Sequence, residues 1–301
     1  MPSVAPAQPQ RVWFITGTSS GFGKHLVASV LARGDRVIAT ARCLEKIKLF
    51  WTLPNAHPSC LQLMRLDVTD SPANIQKIMD QALNVWGRID VVVNNAGLGM
   101  KAVLEEGGYA TINVYERGSG ANPGFTWNRS LAAMQQFQTN VFGVLNVTNA
   151  VLPHMRERRS GTVIIVGSRT GWHAASLGES YASELAQFSI RVTVVIPGSF
   201  RTSALGQPIT VHKHVPAYDT LREVGHARFS SISGNEKGDP AKAMELLVDT
   251  VRGEGQAYGK EWPMWLFMGQ DVYRDVRSKC ARVLQTLDDW EDVSTDLEFD
   301  A

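Results

Sequence analysis

Apolar residues in this chain fall into short unbroken runs, separated by segments in which they recur every three or four positions. Six runs read as strands: Val12–Ile15 (VWFI), Arg36–Ala41 (RVIATA), Cys60–Leu66 (CLQLMRL), Ile89–Val93 (IDVVV), Gly161–Gly167 (GTVIIVG) and Arg191–Ile196 (RVTVVI). Unbroken runs are expected of strands covered on both faces. Between them, Leu26, Val27, Val30 and Leu31 repeat at helical spacing up to Gly34. Leu44–Trp51 predicts a short helix. Ser71-Pro72 opens a longer one through Ile75, Ile78, Met79, Ala82, Leu83 and Trp86, closed by Gly87; serine at the N-cap and proline at the first helical position favour that start. Further helices are predicted from Leu131 to Met155, with Pro153 near the end, from Asp239-Pro240 through Val251, and from Val272 to Leu287, the last preceded by an apolar piece, Trp262–Met268 (WPMWLFM). Buried strands alternating with helices predict an α/β fold, a doubly wound parallel sheet with right-handed crossovers. The segment Glu105–Ser130 lacks periodicity and reads as a loop of about 25 residues, unusual inside a compact domain. Residues 1–10 read as a disordered lead-in, 11–287 as one domain and 288–301 as a loose acidic tail.

Composition narrows the function. The chain has 301 residues, 44% of them hydrophobic and 20% charged, enough for a substantial core. A net charge of +1 argues against nucleic-acid binding by bulk electrostatics. Cys43, Cys60 and Cys280 show no metal-ligand spacing and suit a reducing compartment. No apolar run reaches the length of a membrane span, and MPSVAPAQPQ lacks the basic and apolar regions of a signal peptide. A cytoplasmic protein is expected.

The first strand runs into Thr16-Gly17-Thr18-Ser19-Ser20-Gly21-Phe22-Gly23 and then a helix. Strand, glycine-rich turn and helix make a phosphate cradle, because glycines let backbone approach a pyrophosphate and a helix N-terminus offers unpaired N–H groups and a positive dipole end. The spacing is G-x-x-x-G-x-G rather than G-x-G-x-x-G, and a turn of this kind can also serve helix packing alone.

The chain resembles the short-chain dehydrogenase/reductase family. The motifs carrying the likeness are TGTSSGFG at 16–23, Asp67-Val68, NNAG at 94–97, Asn140 in TNVFG, Ser168, Tyr181 and PGSFRT at 197–202, followed by GDPAKA at 238–243. The opening VWFITGTSSGFG and the ATAR at 39–42 resemble branches acting on hydroxysteroids and retinol-type substrates. The resemblance implies a Rossmann-type fold, a nicotinamide cofactor and alcohol–carbonyl redox chemistry on a small molecule. Gly17, Ser19, Ser20, Gly21 and Gly23 would hold the pyrophosphate, and Asp67 and Val68 the adenine, although Asp67 could also cap its own turn. Asn94, Ala96 and Gly97 would lie beside the ribose, with Pro197, Gly198 and Thr202 as further cofactor contacts. An acidic residue after the second strand would bind the ribose of NAD; here Ala41 is followed by Arg42, and a guanidinium suits a 2′-phosphate. NADP(H) is therefore preferred, with NAD(H) as the alternative. Ser168 would polarise a carbonyl, Tyr181 would act as acid/base, and Asn140 would hold a relaying water. A homodimer would also follow the family pattern.

Two departures stand out. The family carries lysine four residues after the tyrosine, one turn along the same helix face, where its charge lowers the tyrosine pKa. Here that residue is Leu185, and no lysine occurs between Lys101 and Lys213. The helix after Tyr181 is shortened to Ala182–Ile190, roughly 14 residues or about four turns less than usual, which predicts a poorly covered sheet with exposed apolar surface. The 105–130 stretch is the opposite, an insertion. Two functions therefore stay open: an NADP(H)-dependent alcohol/carbonyl oxidoreductase using Ser168, Tyr181 and Asn140, and a catalytically impaired dinucleotide-binding relative. Trp262, Met264, Trp265, Phe267 and Met268 are candidates to line a pocket for a bulky apolar substrate, with core packing the other explanation.

Overall fold

All four residues of strand β1 (Val12–Ile15) are buried, and the glycine turn leads from it into helix α1 (Gly21–Ala32). Strand β2 (Arg36–Ala41) follows. The predicted short helix is instead two 3₁₀ turns, Leu44–Lys46 and Lys48–Thr52, in and beside which only Ile47 and Phe50 are buried, a spacing of three that suits 3₁₀ geometry. Strand β3 (Leu61–Arg65) leads to α2 (Pro72–Trp86), whose N-cap Ser71 accepts from the Asn74 amide as expected. After β4 (Val91–Asn94), the stretch read as a loop contains a two-stranded antiparallel ribbon of β5 (Tyr109–Ile112) and β6 (Trp127–Ser130). Helix α3 (Leu131–Phe137), a π-helical turn at Gln138–Phe142 and α4 (Gly143–Arg158) then form one continuous rod. Strand β7 (Gly161–Val166), α5 (His173–Leu185) and β8 (Ile190–Pro197) come next. The C-terminal part comprises α6 (Asp219–Ile232), α7 (Pro240–Arg252), β9 (Trp265–Met268) and α8 (Gln270–Ser294). Helix α6 went unpredicted because it buries no residue and so carries no apolar stripe. Helix α8 continues to Ser294 and takes in part of the tail expected to be loose. The computed structural model describes residues 9–99, 106, 109–112, 127–168, 173–202, 211, 214–295, 297 and 299. The lead-in apart from Pro9 and Gln10, most of the 105–130 insertion and part of the acidic tail lie outside these.

Seven strands form one sheet in the order β3-β2-β1-β4-β7-β8-β9, with every pair parallel. It is a single doubly wound domain of Rossmann type, as predicted, with β9 as a seventh strand built from the late apolar piece. Alternate side chains face opposite layers. Val12, Phe14, Ile38 and Val92 pack toward α2, α4 and α5, while Trp13, Ile15, Val37 and Val91 pack toward α1 and α7.

The connection from β7 to β8 departs from expectation. A parallel crossover must return from the C-terminal edge of one strand to the N-terminal edge of the next, and only residues 169–189 are available between Ser168 and Ile190. Helix α5 therefore begins at His173, well before Tyr181, and its 13 residues span about 20 Å. It lies close on the sheet, since a Cβ on Gly178 would sit 2.2 Å from Val194 Cγ2. Ile190, Val192, Val194 and Ile196 are all buried, so the apolar exposure predicted over this strand does not arise. Large exposed apolar side chains stand instead on the rod before α4, at Met134, Phe137 and Phe142.

One buried carboxylate ties the N-terminal edge together. Asp35, 1% exposed, accepts from Trp13 Nε1 (3.0 Å), the Arg11 amide (3.0 Å) and Arg252 (2.8 Å). It joins β1, the α1–β2 turn and α7. Replacing it would leave a buried indole N–H unpaired and Arg252 with Glu254 as its remaining carboxylate partner, so Asp35→Ala is expected to cost about 3–5 kcal/mol in urea unfolding. Glu45→Ala, which removes only the exposed pair with Lys48, is expected to stay within about 0.5 kcal/mol.

Candidate active site

The C-terminal edge of the sheet brings together four segments distant in sequence: 16–23 after β1, 94–98 at the end of β4, the π-helical turn 138–142 and 197–202 after β8. The first two are in close backbone contact. Gly17 has φ +69°, and a Cβ there would lie 2.7 Å from Ala96 Cα. A Cβ on Gly23 would lie 2.5 Å from both Asn95 Nδ2 and the Gly17 carbonyl oxygen. Asn95 braces the turn by donating to the carbonyls of Thr16 (2.9 Å) and Gly17 (3.0 Å), and Thr16 Oγ1 accepts from the amides of Asn95 and Ala96. On the other side Thr18 donates its amide and its hydroxyl to the Thr40 carbonyl, which holds the turn beside the end of β2.

This geometry suits a pyrophosphate. Ser20 makes no side-chain cap on α1, and no acidic residue stands in its first turn. The first amides of a helix lack intrahelical acceptors, and here backbone rather than side chains forms the floor. Ser19 is half-buried and Ser20 exposed, and Gly21 faces Thr202, whose Cβ is 3.8 Å from where a glycine Cβ would be. Arg42 follows β2, exposed. Asp67 Oδ1 is taken up by the amide and hydroxyl of Thr69, the turn cap foreseen as its alternative role. Val68 is buried against Gly143. Asn94 points inward and donates to Thr148 Oγ1 at 2.9 Å, so Ala96 and Gly97, not the Asn94 side chain, face the edge.

Asn140 lies in the π-helical turn, an irregularity frequent at functional sites. Its amide clamps the Leu98 peptide, accepting from the N–H and donating to the carbonyl at 2.8 Å each. Ser168, just past β7, is exposed at the same edge. Pro197 ends β8; Gly198 donates to the Met268 carbonyl, and Ser199 donates its amide to Asp271 Oδ2 at 2.7 Å. Phe200 stacks edge-on against Phe22 at 5.3 Å between centroids. Asn95, Asp271 and the Phe22–Phe200 pair were not identified from sequence. Asn95 sits within the NNAG motif and was within reach, but nothing local links Asp271 to a turn 72 positions away.

Tyr181 lies in helix α5. Its hydroxyl donates to Asn149 Oδ1 at 2.9 Å, and the ring is buried among Leu185, Ile190 and Val192. Asn149 lies about 13 Å farther along the same helical rod than Asn140, next to Thr148, which accepts from Asn94 at the end of β4. Burial, reinforced by Glu184, pushes the Tyr181 pKa up to about 12. Leu185, at the lysine position, is also buried in this layer. The early start of α5 accounts for both placements: residues that a longer crossover would leave near the edge are drawn down over the sheet.

Two residues of the aromatic piece preceding α8 are taken up by packing. Trp262 donates its indole N–H to the Val192 carbonyl and stacks on Arg191 at 4.1 Å, while Met268 is buried in the core; packing explains these two residues. Among the described residues, a cavity of about 360 Å³ lined by Val211, Arg222 and His226 and one of about 420 Å³ lined by Arg11, Asp90 and Arg191 lie elsewhere, so convergence of backbone and polar groups, not cavity volume, marks the site. No cluster of His, Cys, Asp or Glu among these residues suits a metal ion, and no helix is long and apolar enough to cross a membrane.

Residues 11–210 match the family described as short chain dehydrogenase. The chain is 30% identical over 300 residues to Oxidoreductase BOA17 of Botryotinia fuckeliana, covering 94% of this chain and 98% of that protein. It is 29% identical over 240 residues to the NADP-dependent 3-hydroxy acid dehydrogenase YdfG of Escherichia coli O6:H1, covering 79% and 81%. The crystal structure of a short-chain dehydrogenase from Streptomyces avermitilis superposes with a TM-score of 0.77 at 31% identity, covering 97% of this chain and all of that one. Glycine turn, strand order and near full-length similarity agree: the chain belongs to the short-chain dehydrogenase family of oxidoreductases.

Proposed function

We propose that this chain binds NADP(H) across the edge formed by residues 16–23, 42, 67–68 and 94–98, and serves as an oxidoreductase interconverting an alcohol and a carbonyl on a small substrate. The observation that carries the reading is the cradle itself, where Gly17 and Gly23 leave no room for a Cβ and the floor is backbone. When bound, the nicotinamide supplies or accepts a hydride. Gly17, Ser19, Ser20, Gly21 and Gly23 would hold the pyrophosphate, with backbone N–H groups as donors. Arg42 would grip the 2′-phosphate; it is exposed and forms no ion pair among the described residues. Asp67 and Val68 would meet the adenine, and Ala96, Gly97, Pro197, Gly198 and Thr202 the nicotinamide half. The name of the YdfG relative, as an NADP-dependent enzyme, is consistent with this choice.

In the proton-transfer half, Ser168 would hydrogen-bond the substrate oxygen, and Asn140 would hold the Leu98 peptide in place. Leu98, exposed beside Asn140, adds an apolar wall that suits an apolar substrate. The hydroxyl of Tyr181, engaged by Asn149 and made a weaker acid by burial, favours an arrangement in which Tyr181 does not carry the proton and turnover is slow relative to cofactor binding. The second reading, with Tyr181 as acid/base, is supported by its spacing from Ser168 and requires the hydroxyl to leave Asn149.

Three measurements test these readings. Arg42→Ala is expected to raise the dissociation constant for NADPH by about 10- to 100-fold while leaving that for NADH unchanged; equal effects on both would remove the 2′-phosphate role. Gly23→Ala is expected to abolish binding of both dinucleotides by fluorescence titration, because the added methyl meets backbone. Tyr181→Phe is expected to change NADPH-dependent reduction of a carbonyl panel by no more than about twofold, whereas loss of an acid/base group costs about 10²–10⁴-fold. A fall of that larger size, with NADPH affinity intact, would establish Tyr181 as the proton carrier.

A further inference from the structure

Helix α8 leaves the domain after its first turns. Val272 is buried with Val194 and Ile196, and Val276 packs on the same cluster. The Tyr273 ring meets Phe267 edge-on at 6.0 Å. From Cys280 to Ser294 every residue is exposed. An isolated helix of this length is marginal in water, and a lone solvated helix would be expected to be polar all round. This one is not. Tyr273, Val276, Cys280, Val283, Leu287 and Trp290 follow alternating steps of three and four, the a and d positions of a heptad repeat. Leu284 and Val293 widen the stripe, and Leu287 and Trp290 are 61% and 62% exposed.

The charges on this helix are segregated. Arg274, Arg277, Lys279 and Arg282 lie in its first half, where Asp271 accepts from the Ser199 amide and Asp275 is paired with Arg274. Asp288, Asp289, Glu291 and Asp292 lie in its second half, and no basic residue follows Arg282. Within a single helix this layout is unfavourable, because anions belong near the N-terminus and cations near the C-terminus. It becomes favourable when a second helix of the same sequence runs the opposite way. Centred near Gln285, such a pairing sets Leu287 beside Val283 and Trp290 beside Cys280 of the other copy. It also brings Arg277 beside Glu291 of the other copy, both flanking the seam on the same side. A parallel pair would place acid against acid and base against base. A lipid surface fits less well, since the polar residues around Leu287 and Trp290 are acidic and an anionic leaflet repels them.

We propose that two copies of this chain associate through α8 as a short antiparallel coiled coil, the basic half of each helix facing the acidic half of the other. The surface is separate from the dinucleotide edge, and the proposal does not depend on cofactor binding or turnover.

Sedimentation equilibrium of the full chain tests it. The wild type is expected to be a dimer that weakens as salt is raised. Leu287→Glu, on an exposed position, is expected to raise the dimer dissociation constant by at least about tenfold with an unchanged thermal midpoint of the domain. Arg277→Glu is expected to weaken the dimer, and adding Glu291→Arg to the same chain to restore it, because the inverted pair is again complementary across the two copies. A monomer at every concentration would overturn the proposal, as would a dimer indifferent to Leu287→Glu, or charge reversal without rescue. A monomer that co-sediments with phosphatidylcholine vesicles would overturn it in favour of a lipid surface.

Discussion

A chain that leaves one parallel strand must cross the full height of the sheet before it can begin the next. That distance is set by strand length and does not shrink when the connection loses residues. Between β7 and β8 the demand is met by starting α5 at His173, so residues that a longer crossover would leave at the C-terminal edge become part of the helix. Tyr181 moves down with them, its hydroxyl bonded to Asn149 and its ring buried with Leu185. The composition of the active edge follows from this one geometric requirement.

The cofactor half of the site escapes this effect because it depends on other neighbours. Its parts are the turns after β1 and β4, adjacent strands at the centre of the sheet, held together by Thr16, Asn95 and the contact between Gly17 and Ala96. The proposed dinucleotide and proton-transfer halves therefore rest on different elements of the fold. The turn after β8 is anchored in a third way, through Asp271 at the start of α8, so this helix serves the site at one end and projects an apolar stripe at the other.

Much of the architecture was readable along the chain. Runs such as VWFI and IDVVV are buried strands, Ser71-Pro72 and Asp239-Pro240 begin helices, and the glycine turn sits where a strand meets a helix. These features are local: propensity, capping and periodicity act within one element and need no partner. Reading failed where the local signal was weak or where a partner decided the outcome. Helix α6 carries no apolar stripe, Ile47 and Phe50 settled into 3₁₀ turns, and α8 ran on past Leu287 through residues whose acidity suggested a tail.

Sequence alone determined the strand-and-helix alternation, the glycine cradle, the basic residue after β2 and the absence of a lysine four residues beyond Tyr181, because each is a statement about residue type at a short separation. Only the tertiary structure decided that Asn94 turns inward while Asn95 braces the glycine turn, that Asp271 caps a turn far away in the chain, and that the Tyr181 hydroxyl bonds to Asn149. Those outcomes depend on which face of an element is covered and how far a connection must reach, quantities that exist only once the sheet is assembled.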